Sequence, residues 1–280
     1  MSATFDPAWL ALREPVDHRS RAAAALSLLV PAWRAGGWSR IVDLGSGTGS
    51  NLRYLAPSLP GMQRWMLVDH DADLLDRAAA PDGAEVTRVV GDLAAAGLDA
   101  IRESRANLVT ASALLDLVSR GWLSGLAAAC RESGGAALFA LSYDGSIQWR
   151  AAEGDPRPAD DPDDALVRRA VNTHQRRDKG LGPALGPMAG LMAETTLRAA
   201  GYRVWLLPSP WRLGPDDAEL ARALVGGWET AAIEQLREAA KDDREKALRV
   251  RAWAARRRAT IAGGRFGLTV GHVDLLALPA

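Results

Sequence analysis

The sequence predicts a doubly wound α/β fold, and two observations carry that prediction. From residue 40 onward, short apolar segments alternate with segments of helical composition. The first apolar segment runs directly into a glycine-rich turn, IVDLGSGTGSN at residues 41–51. Strands that alternate with helices pair in parallel through right-handed crossovers, so the sequence favours an open sheet with helices on both faces.

The sequence contains seven predicted strands. They are RIVDL, RWMLVDH, AEVTRVVGD, ANLVTAS, GGAALFALSYD, YRVWLLP and FGLTVGHVDLLALP. Helical segments separate the first five: SNLRYLA, DADLLDRAAA, LAAAGLDAIRES and LVSRGWLSGLAAACRES. Another helix, MAGLMAETTLRAAGY, precedes the sixth strand. We therefore predict a single domain over residues 1–280.

Three segments fall outside this alternation. Residues 1–37 are predicted to form an N-terminal helical cover. Residues 145–186 are predicted to be an insertion after the fifth strand, polar at first and then helical. Residues 212–263 are predicted to be a helical insertion between the last two strands, a connection much longer than is usual between neighbouring strands.

The charge balance argues against a nucleic-acid partner. The 34 basic and 34 acidic side chains give a formal net charge of zero, whereas duplex DNA or bulk RNA usually needs a basic surface. No segment resembles a signal peptide or a membrane span, so we expect a cytoplasmic protein without a membrane partner. The sequence leaves the oligomeric state open.

Composition also argues against a metal site. The single cysteine, Cys130, excludes an internal disulfide and any site with several cysteine ligands. The four histidines are scattered and form no H-x-x-x-H pair. We expect Cys130 to be a small buried hydrophobic residue, and no metal cofactor.

The glycine turn has an unusual acidic residue. Its pattern is Asp43-x-Gly45-x-Gly47-x-Gly49. A dinucleotide motif, G-x-G-x-x-G, would need glycine where Ser50 stands, and a P-loop would need Lys-Ser/Thr after the turn. A carboxylate two residues before the first glycine disfavours a phosphate and favours an ammonium or sulfonium group.

Acidic residues also follow the next two strands. Asp69 ends the second strand, where a carboxylate suits the two hydroxyls of a ribose. Asp92 follows the third strand, where it can accept a hydrogen bond from the exocyclic amine of a purine. An amino-acid-like cation, a ribose and an adenine together describe S-adenosylmethionine.

The stretches VDLGSGTG, LVDHD, GDL and NLVTASALLDLV resemble the class I S-adenosylmethionine-dependent methyltransferase superfamily over roughly residues 38–144. The resemblance implies the strand order 3-2-1-4-5-7-6 with the last strand antiparallel. It implies that the first turn contacts the methionine moiety, Asp69 the ribose, and Asp92 with Leu93 the adenine. The predicted cofactor-binding set is Asp43, Gly45, Ser46, Gly47, Gly49, Asp69, His70, Asp92, Leu93, Thr110 and Ala111. The alternative is that the acidic residues only cap helices.

Methyl transfer from a sulfonium mainly needs an aligned nucleophile and the exclusion of water, with a base if the nucleophile arrives protonated. Tyr143 and Asp144 end the fifth strand, at the edge where open sheets bind ligands, although Asp144-Gly145 is also a common turn. His174 lies on the apolar stripe of the insertion helix, so it is either near the acceptor, in the core or exposed. These three are the candidate catalytic residues.

Further polar residues in the two covering segments and after the fourth strand are candidates for the substrate site or lid. The alternatives are a solvated charged face and, after the fourth strand, a helix-start acid. The candidates are Arg13, Asp17, Arg21, Asp116, Asn172, Gln175 and Lys179.

The predicted function is methyl transfer from S-adenosylmethionine to a small-molecule metabolite, because a neutral chain with two covering insertions favours a closed pocket. One alternative is an rRNA or tRNA methyltransferase, for which RVRAWAARRR at residues 249–258 is the candidate basic stripe. We expect that run to be a solvated helix face. A second alternative is a non-catalytic regulator that binds S-adenosylmethionine, and a dehydrogenase is the remote one. The methyl acceptor stays open.

Overall fold

The structure is a computed structural model that describes residues 5–151, 160–239 and 244–280. Residues 152–159 of the predicted 145–186 insertion lie outside the described residues, as do residues 240–243 of the 212–263 insertion. In the described part of the chain, no helix is long and apolar enough to cross a membrane.

One sheet organises the chain. Its strands are β1 (Arg40–Leu44), β2 (Gln63–Asp69), β3 (Ala84–Val90), β4 (Leu108–Ser112), β5 (Ala136–Ala151), β6 (Tyr202–Pro208), β7 (Trp211–Leu213) and β8 (Phe266–Pro279). The order is β3-β2-β1-β4-β5-β8-β6, with β7 also paired to β8. Strands β1 to β5 are parallel, and β8 is antiparallel to its neighbours. With β8 as the seventh predicted strand, the predicted fold class and order are confirmed.

Helices cover both faces of the sheet. They are α1 (Pro7–Ser20), α2 (Ala23–Ala35), α3 (Ser50–Leu55), α4 (Ala72–Asp76), α5 (Ala96–Ser104), α6 (Arg120–Ser133), α7 (Asp164–His174), α8 (Ala189–Ala199), α9 (Ala218–Ala239) and α10 (Arg244–Ala262).

Alternate residues of β1 enter two different cores. Val42 and Leu44 pack in the core that includes α5, α6 and α8, whereas Ile41 packs in the core that includes α2 and α3. Successive side chains of a strand point to opposite faces, and a parallel sheet is buried on both faces. The apolar composition of RIVDL therefore reflects a central strand.

The two insertions share a third core with the ends of β5 and β8. It contains Trp149 of β5, Val171 of α7, Val225 of α9, Trp253 of α10 and Phe266 of β8. The two insertions therefore pack on each other and on the extended sheet.

Strand β5 is longer than the sequence predicted. The predicted strand ended at Asp144, but after register shifts the chain pairs again with β8 from Ile147 to Ala151. Ile147 and Trp149 are buried, while Gln148 and Arg150 are exposed. This alternation is typical of a strand with one buried face, so the first residues of the predicted insertion belong to the sheet.

Candidate functional site

A cavity of about 620 Å³ lies at the carboxyl ends of β1, β2, β3 and β4. Helix α1 closes one side of it, and residues 175–181, which follow α7, close another. Ligands of open α/β sheets bind at this edge. The volume also falls within the range of about 300–1,000 Å³ that is usual for small-molecule sites.

The glycine turn forms the floor of the cavity. Gly45, Gly47 and Gly49 have φ values of +63°, +50° and +81°, in the left-handed region that favours glycine. Gly45, Ser46 and Gly47 line the cavity. Gly49 does not, and a Cβ there would come within 2.9 Å of the Cβ of Ala78. Gly49 is instead the residue that precedes and caps α3.

Asp43 lies beneath the turn. Only 1% of it is exposed, and its Oδ1 accepts a hydrogen bond of 2.7 Å from Nδ2 of Asn51. The same amide donates to Oγ1 of Thr110 (2.9 Å), and Oδ1 of Asn51 accepts from Arg21 (2.9 Å). Asn51 lines the cavity, whereas Asp43, Thr110 and Arg21 are not among the lining residues. Asp43 is therefore separated from the cavity by Asn51, and its predicted contact with a ligand stays a prediction.

Burial raises the pKa of Asp43 to about 7, against the hydrogen bond from Asn51 and the charge of Arg21. Its Oδ2 is buried and has no hydrogen-bond partner among the described residues. A buried carboxylate gains from a cation close by. The network therefore provides an environment in which a positive ligand group above the turn is favourable.

Asp69 lies at the end of β2, in the cavity wall. Its Oδ2 accepts from the backbone N–H of Gly47 (2.8 Å), and its Oδ1 accepts from that of Asp71 (3.1 Å). Nδ1 of His70, which also lines the cavity, lies 3.2 Å from Oδ1. A carboxylate has about four acceptor sites, so Asp69 keeps capacity for ligand hydroxyls.

The end of β3 supplies a polar and an apolar residue. Asp92 is exposed and accepts from the backbone N–H of Ala95 at 2.8 Å, so it supports the turn before α5 as well as lining the cavity. Leu93 lines the cavity beside Leu74 and Leu114. These leucines form the apolar part of the wall.

At the end of β4, the residues that line the cavity come after Thr110 and Ala111, the two that the sequence predicted. Ser112, Ala113 and Leu117 line the cavity, whereas Ala111 is buried and is not among the lining residues.

Helix α1 closes the cavity through Leu10, Arg13 and Asp17. Nε of Arg13 lies 2.8 Å from Oδ2 of Asp17, and its guanidinium lies 5.2 Å from the centre of the Trp211 ring. Burial raises the pKa of Asp17 although Arg13 opposes the shift. Two of the predicted lid residues are thus paired with each other.

Helix α1 is also bound to the helix that follows the glycine turn. Arg53 of α3 donates to both carboxylate oxygens of Glu14, at 2.7 and 2.6 Å. Nε2 of His18 lies 3.1 Å from the carbonyl oxygen of Ser50. Bidentate pairs of this kind fix geometry as well as adding attraction, so α1 has a defined position over the turn.

The opposite wall comes from the segment after α7. Gln175, Lys179, Gly180 and Leu181 line the cavity. Asn172, another predicted substrate residue, is instead bonded inside the fold: its Oδ1 accepts from the hydroxyl of Tyr143 (2.8 Å) and its Nδ2 donates to the carbonyl of Gly145 (3.0 Å).

The three candidate catalytic residues are not among the residues that line the cavity. Nε2 of His174 lies 3.0 Å from Oε2 of Glu234 on α9. Asp144 is exposed and accepts from the backbone N–H of Ser146 (2.8 Å), as in the alternative turn interpretation. Tyr143 is buried, and burial raises its pKa. Each has a structural partner, and the catalytic role of these three residues stays a prediction.

Asp116 is buried near the cavity. Its Oδ1 has no hydrogen-bond partner within the described residues. Burial raises its pKa to about 6, opposed by the backbone and by the charges of Arg13 and Lys179. It is not a lining residue.

Sequence reasoning missed several residues of the site. Asn51 lies two residues after Gly49, so its position was a usable signal. No sequence motif near Leu10 or Leu181 indicated a ligand site, since both residues lie in covering segments. His272 is not among the lining residues: it is buried against Trp211, with ring centres 4.8 Å apart, and burial lowers its pKa to about 3.

No protein-family model and no curated protein matches the sequence. The fold is similar to solved structures of S-adenosylmethionine-dependent methyltransferases. One, from Geobacter sulfurreducens with S-adenosylhomocysteine, shares 19% identity over 98% of this chain and 99% of its own, with a TM-score of 0.44. Another, from Thiobacillus denitrificans with S-adenosylhomocysteine, shares 17% identity over 98% and 99%, with a TM-score of 0.40.

A third is the phosphoethanolamine N-methyltransferase 2 of Haemonchus contortus, with 14% identity over 87% of this chain and 50% of its own and a TM-score of 0.38. At these identities and TM-scores the likenesses carry no argument, and the proposal about activity rests on the site. The strand order with its antiparallel β8 is the one that the resemblance implied. The chain therefore has the doubly wound sheet with an antiparallel β8 that was predicted from the sequence.

Proposed function

We propose that the chain transfers a methyl group from S-adenosylmethionine to a small-molecule acceptor. One observation carries the proposal: a single cavity is lined by the glycine turn, by Asp69 and by Asp92 with Leu93, at the ends of β1, β2 and β3. These are the three ligand-facing positions that an amino-acid moiety, a ribose and an adenine require, in that order along the sheet.

The residues present fit that group. Gly45 and Gly47 line the cavity and have positive φ values. Because glycine has no Cβ, a ligand can approach the backbone of the turn closely at these positions. Asp69 retains acceptor sites for ribose hydroxyls, and the leucine wall suits a flat apolar ring.

When bound, S-adenosylmethionine would supply a methyl group on a positively charged sulfur. The part played by this chain is alignment and the exclusion of water. Arg53 and Glu14 hold α1 over the turn, and residues 175–181 close the other side. Above about pH 7, where it is ionised, Asp43 beneath the turn would favour the positive charge on the sulfur.

The arginines of α10 support a small molecule over RNA. In the run at residues 249–258, four of the five arginines are exposed and Arg257 is only 4% exposed. Within the part of the chain that the structure describes, four of the five, all except Arg251, are paired with acids. This side of α10 is therefore largely neutralised and is not a free basic stripe for phosphates. The pairs are Arg249–Asp163, Arg256–Asp161, Arg256–Asp163, Arg257–Asp164 and Arg258–Glu229.

The polar wall opposite the glycine turn supports a second ligand over a non-catalytic regulator. Arg13 and Asp17 of α1 face the cavity together with Gln175 and Lys179 of the 175–181 segment. A site that binds only the cofactor would need the groups at the strand ends but not these four side chains.

The test is transfer of label from methyl-labelled S-adenosylmethionine. The purified chain is incubated separately with a low-molecular-weight metabolite extract and with bulk tRNA and rRNA. We expect labelled product in the metabolite reaction and none in the RNA reactions. Label in RNA alone would overturn the proposed substrate class. No transfer in either reaction, with S-adenosylhomocysteine still bound tightly, would instead support the regulator.

A further inference from the structure

Lys179 presents a positive charge to the cavity without a direct partner. It lines the cavity and is half-buried. Within residues 5–151, 160–239 and 244–280, its ammonium makes no hydrogen bond and no ion pair within 4.0 Å. Partly buried charges are normally paired, because removing them from water is costly.

The guanidinium of Arg13, which also lines the cavity, is already paired. Arg13 bonds to Asp17 through Nε (2.8 Å) and packs against the ring of Trp211. An anionic group that enters this half of the cavity would therefore find Arg13 neutralised and Lys179 available.

The chain holds Lys179 in place. Oδ1 of Asp178 accepts from the backbone N–H groups of Gly180 (2.7 Å) and Gly182 (3.0 Å). Both glycines have positive φ, +104° and +86°. The segment is also bonded to the region after β4, where the N–H of Leu185 donates to the carbonyl of Val118 at 2.8 Å. Lys179 is therefore presented by a fixed turn.

The surroundings of Lys179 disfavour its charge. Loss of water is the main cause that lowers its pKa, followed by the like charge of Arg177. The acids Glu234 and Asp116 oppose this shift without reversing it. A ligand anion would supply the direct contact that the protein does not.

Given the proposed function, we propose that Lys179 binds an anionic group, a carboxylate or a phosphate, on the small molecule that accepts the methyl group. The side-chain amide of Gln175, which lines the same wall, offers a neutral donor beside it. The acceptor is then an acidic metabolite, bound by its anion at the 175–181 wall with the rest of the molecule directed towards the glycine turn.

The lysine content of the chain allows a direct test. Besides Lys179, the chain has lysines only at positions 241 and 246. Reductive methylation with ¹³C-formaldehyde keeps each charge and gives each lysine an NMR signal. Sodium phosphate and sodium benzoate are titrated separately into the protein with S-adenosylhomocysteine, at constant ionic strength. We expect one of the two anions to shift the Lys179 signal in a saturable manner and to leave the Lys246 signal in place.

Variants assign and control the effect. Lys179→Met should remove the shifted signal and, by calorimetry, weaken binding of that anion by about tenfold or more, as expected for a charge-assisted hydrogen bond. Lys179→Arg should retain most of the affinity, and Lys246→Met should retain all of it. Circular dichroism is used to check that each variant is folded.

Three results would overturn the inference. They are no shift of Lys179 with either anion, equal shifts of Lys179 and Lys246, and a loss of S-adenosylhomocysteine affinity in Lys179→Met, which would assign Lys179 to the cofactor. Binding of S-adenosylhomocysteine is measured first and separately. Its absence would defeat the proposed function, while the titration of the chain alone would still report on Lys179.

Discussion

Asp69 illustrates how one side chain can serve both the fold and a ligand. Its two oxygens bond the backbone of Gly47 and of Asp71, so it connects the glycine turn to the start of α4. The same carboxylate faces the cavity. A residue that only caps a helix would have no reason to lie in the wall of a ligand-sized cavity.

Replacing Asp69 with alanine should therefore weaken S-adenosylhomocysteine binding by about 2–4 kcal/mol, because charge-assisted hydrogen bonds are strong. The matched control is Asp71→Ala, which removes the cap that accepts from the N–H of Leu74 and should cost about 1 kcal/mol of stability. Calorimetry on both variants measures the affinities. Equal affinities in Asp69→Ala and the parent chain would reduce Asp69 to a structural role.

Asp43 should make stability depend on pH. Its pKa is raised by burial from 3.8 to about 7 in the folded chain, so between about pH 4 and 7 the folded state binds more protons than the unfolded state. Stability contributed by this group therefore falls as pH rises through that window. Asp116, with its pKa raised to about 6, acts in the same direction, whereas His272, with its pKa lowered to about 3, acts in the opposite one.

The difference between the parent chain and Asp43→Asn isolates the effect of Asp43. Urea unfolding is measured for both proteins at several pH values from about 4.5 to about 8. As pH rises, the free energy of unfolding should fall less steeply in the variant than in the parent chain. Parallel profiles for the two proteins would mean that Asp43 does not titrate in this range.

At the scale of helices, α7 and α10 are joined by buried charge. Arg257 pairs with Asp164 and stacks over Trp149, 4.3 Å from the ring centre, and the indole of Trp253 donates to Asp164 at 2.7 Å. Breaking a buried pair leaves an uncompensated charge. This contact fixes the helix whose end leads into the 175–181 wall.

Arg257→Met should therefore destabilise the chain by about 2–4 kcal/mol. Arg251 lies on the same helix and is exposed, so Arg251→Met should change stability by less than about 0.5 kcal/mol. Urea unfolding of both variants gives the comparison. Similar stabilities in the two would show that the network on α10 contributes little.

The covering elements should respond to the ligand. If α1 and residues 175–181 close over the cavity, S-adenosylhomocysteine should slow amide hydrogen exchange in both and in the glycine turn. Helix α10 contributes no residue to the lining of the cavity, so exchange there should be unchanged. Protection confined to the turn, with none in α1, would separate the helix from the ligand site.

For the whole molecule, the parts that local sequence determines were predictable. The strand alternation, the glycine turn and the position of Asp69 each depend on residues close in the chain. The order of the strands came from the resemblance and matches the structure. The extension of β5 could not be predicted as easily, because its pairing with β8 joins segments more than a hundred residues apart.

The covering walls were harder to predict for the same reason. His174 was read as a candidate because it lay on an apolar stripe, but its neighbour is Glu234, on a helix sixty residues later. Asn51 could not be given its role without Arg21 and Thr110, which α1 and β4 bring to it. Lys179, a predicted residue of the substrate site or lid, lies in the cavity wall. Its lack of a direct partner among the described residues could not be predicted from sequence, because it depends on what the fold places around it.

The most direct test of the account is a calorimetric titration of the purified chain with S-adenosylhomocysteine and, separately, with NAD. We expect S-adenosylhomocysteine to bind with a dissociation constant in the micromolar range, about −7 to −9 kcal/mol, and NAD to give no binding heat. That result would agree with the acidic residue before the glycine turn and with the carboxylate of Asp69 in the cavity. Tight binding of NAD without any response to S-adenosylhomocysteine would contradict the proposed cofactor and the proposed methyl transfer with it.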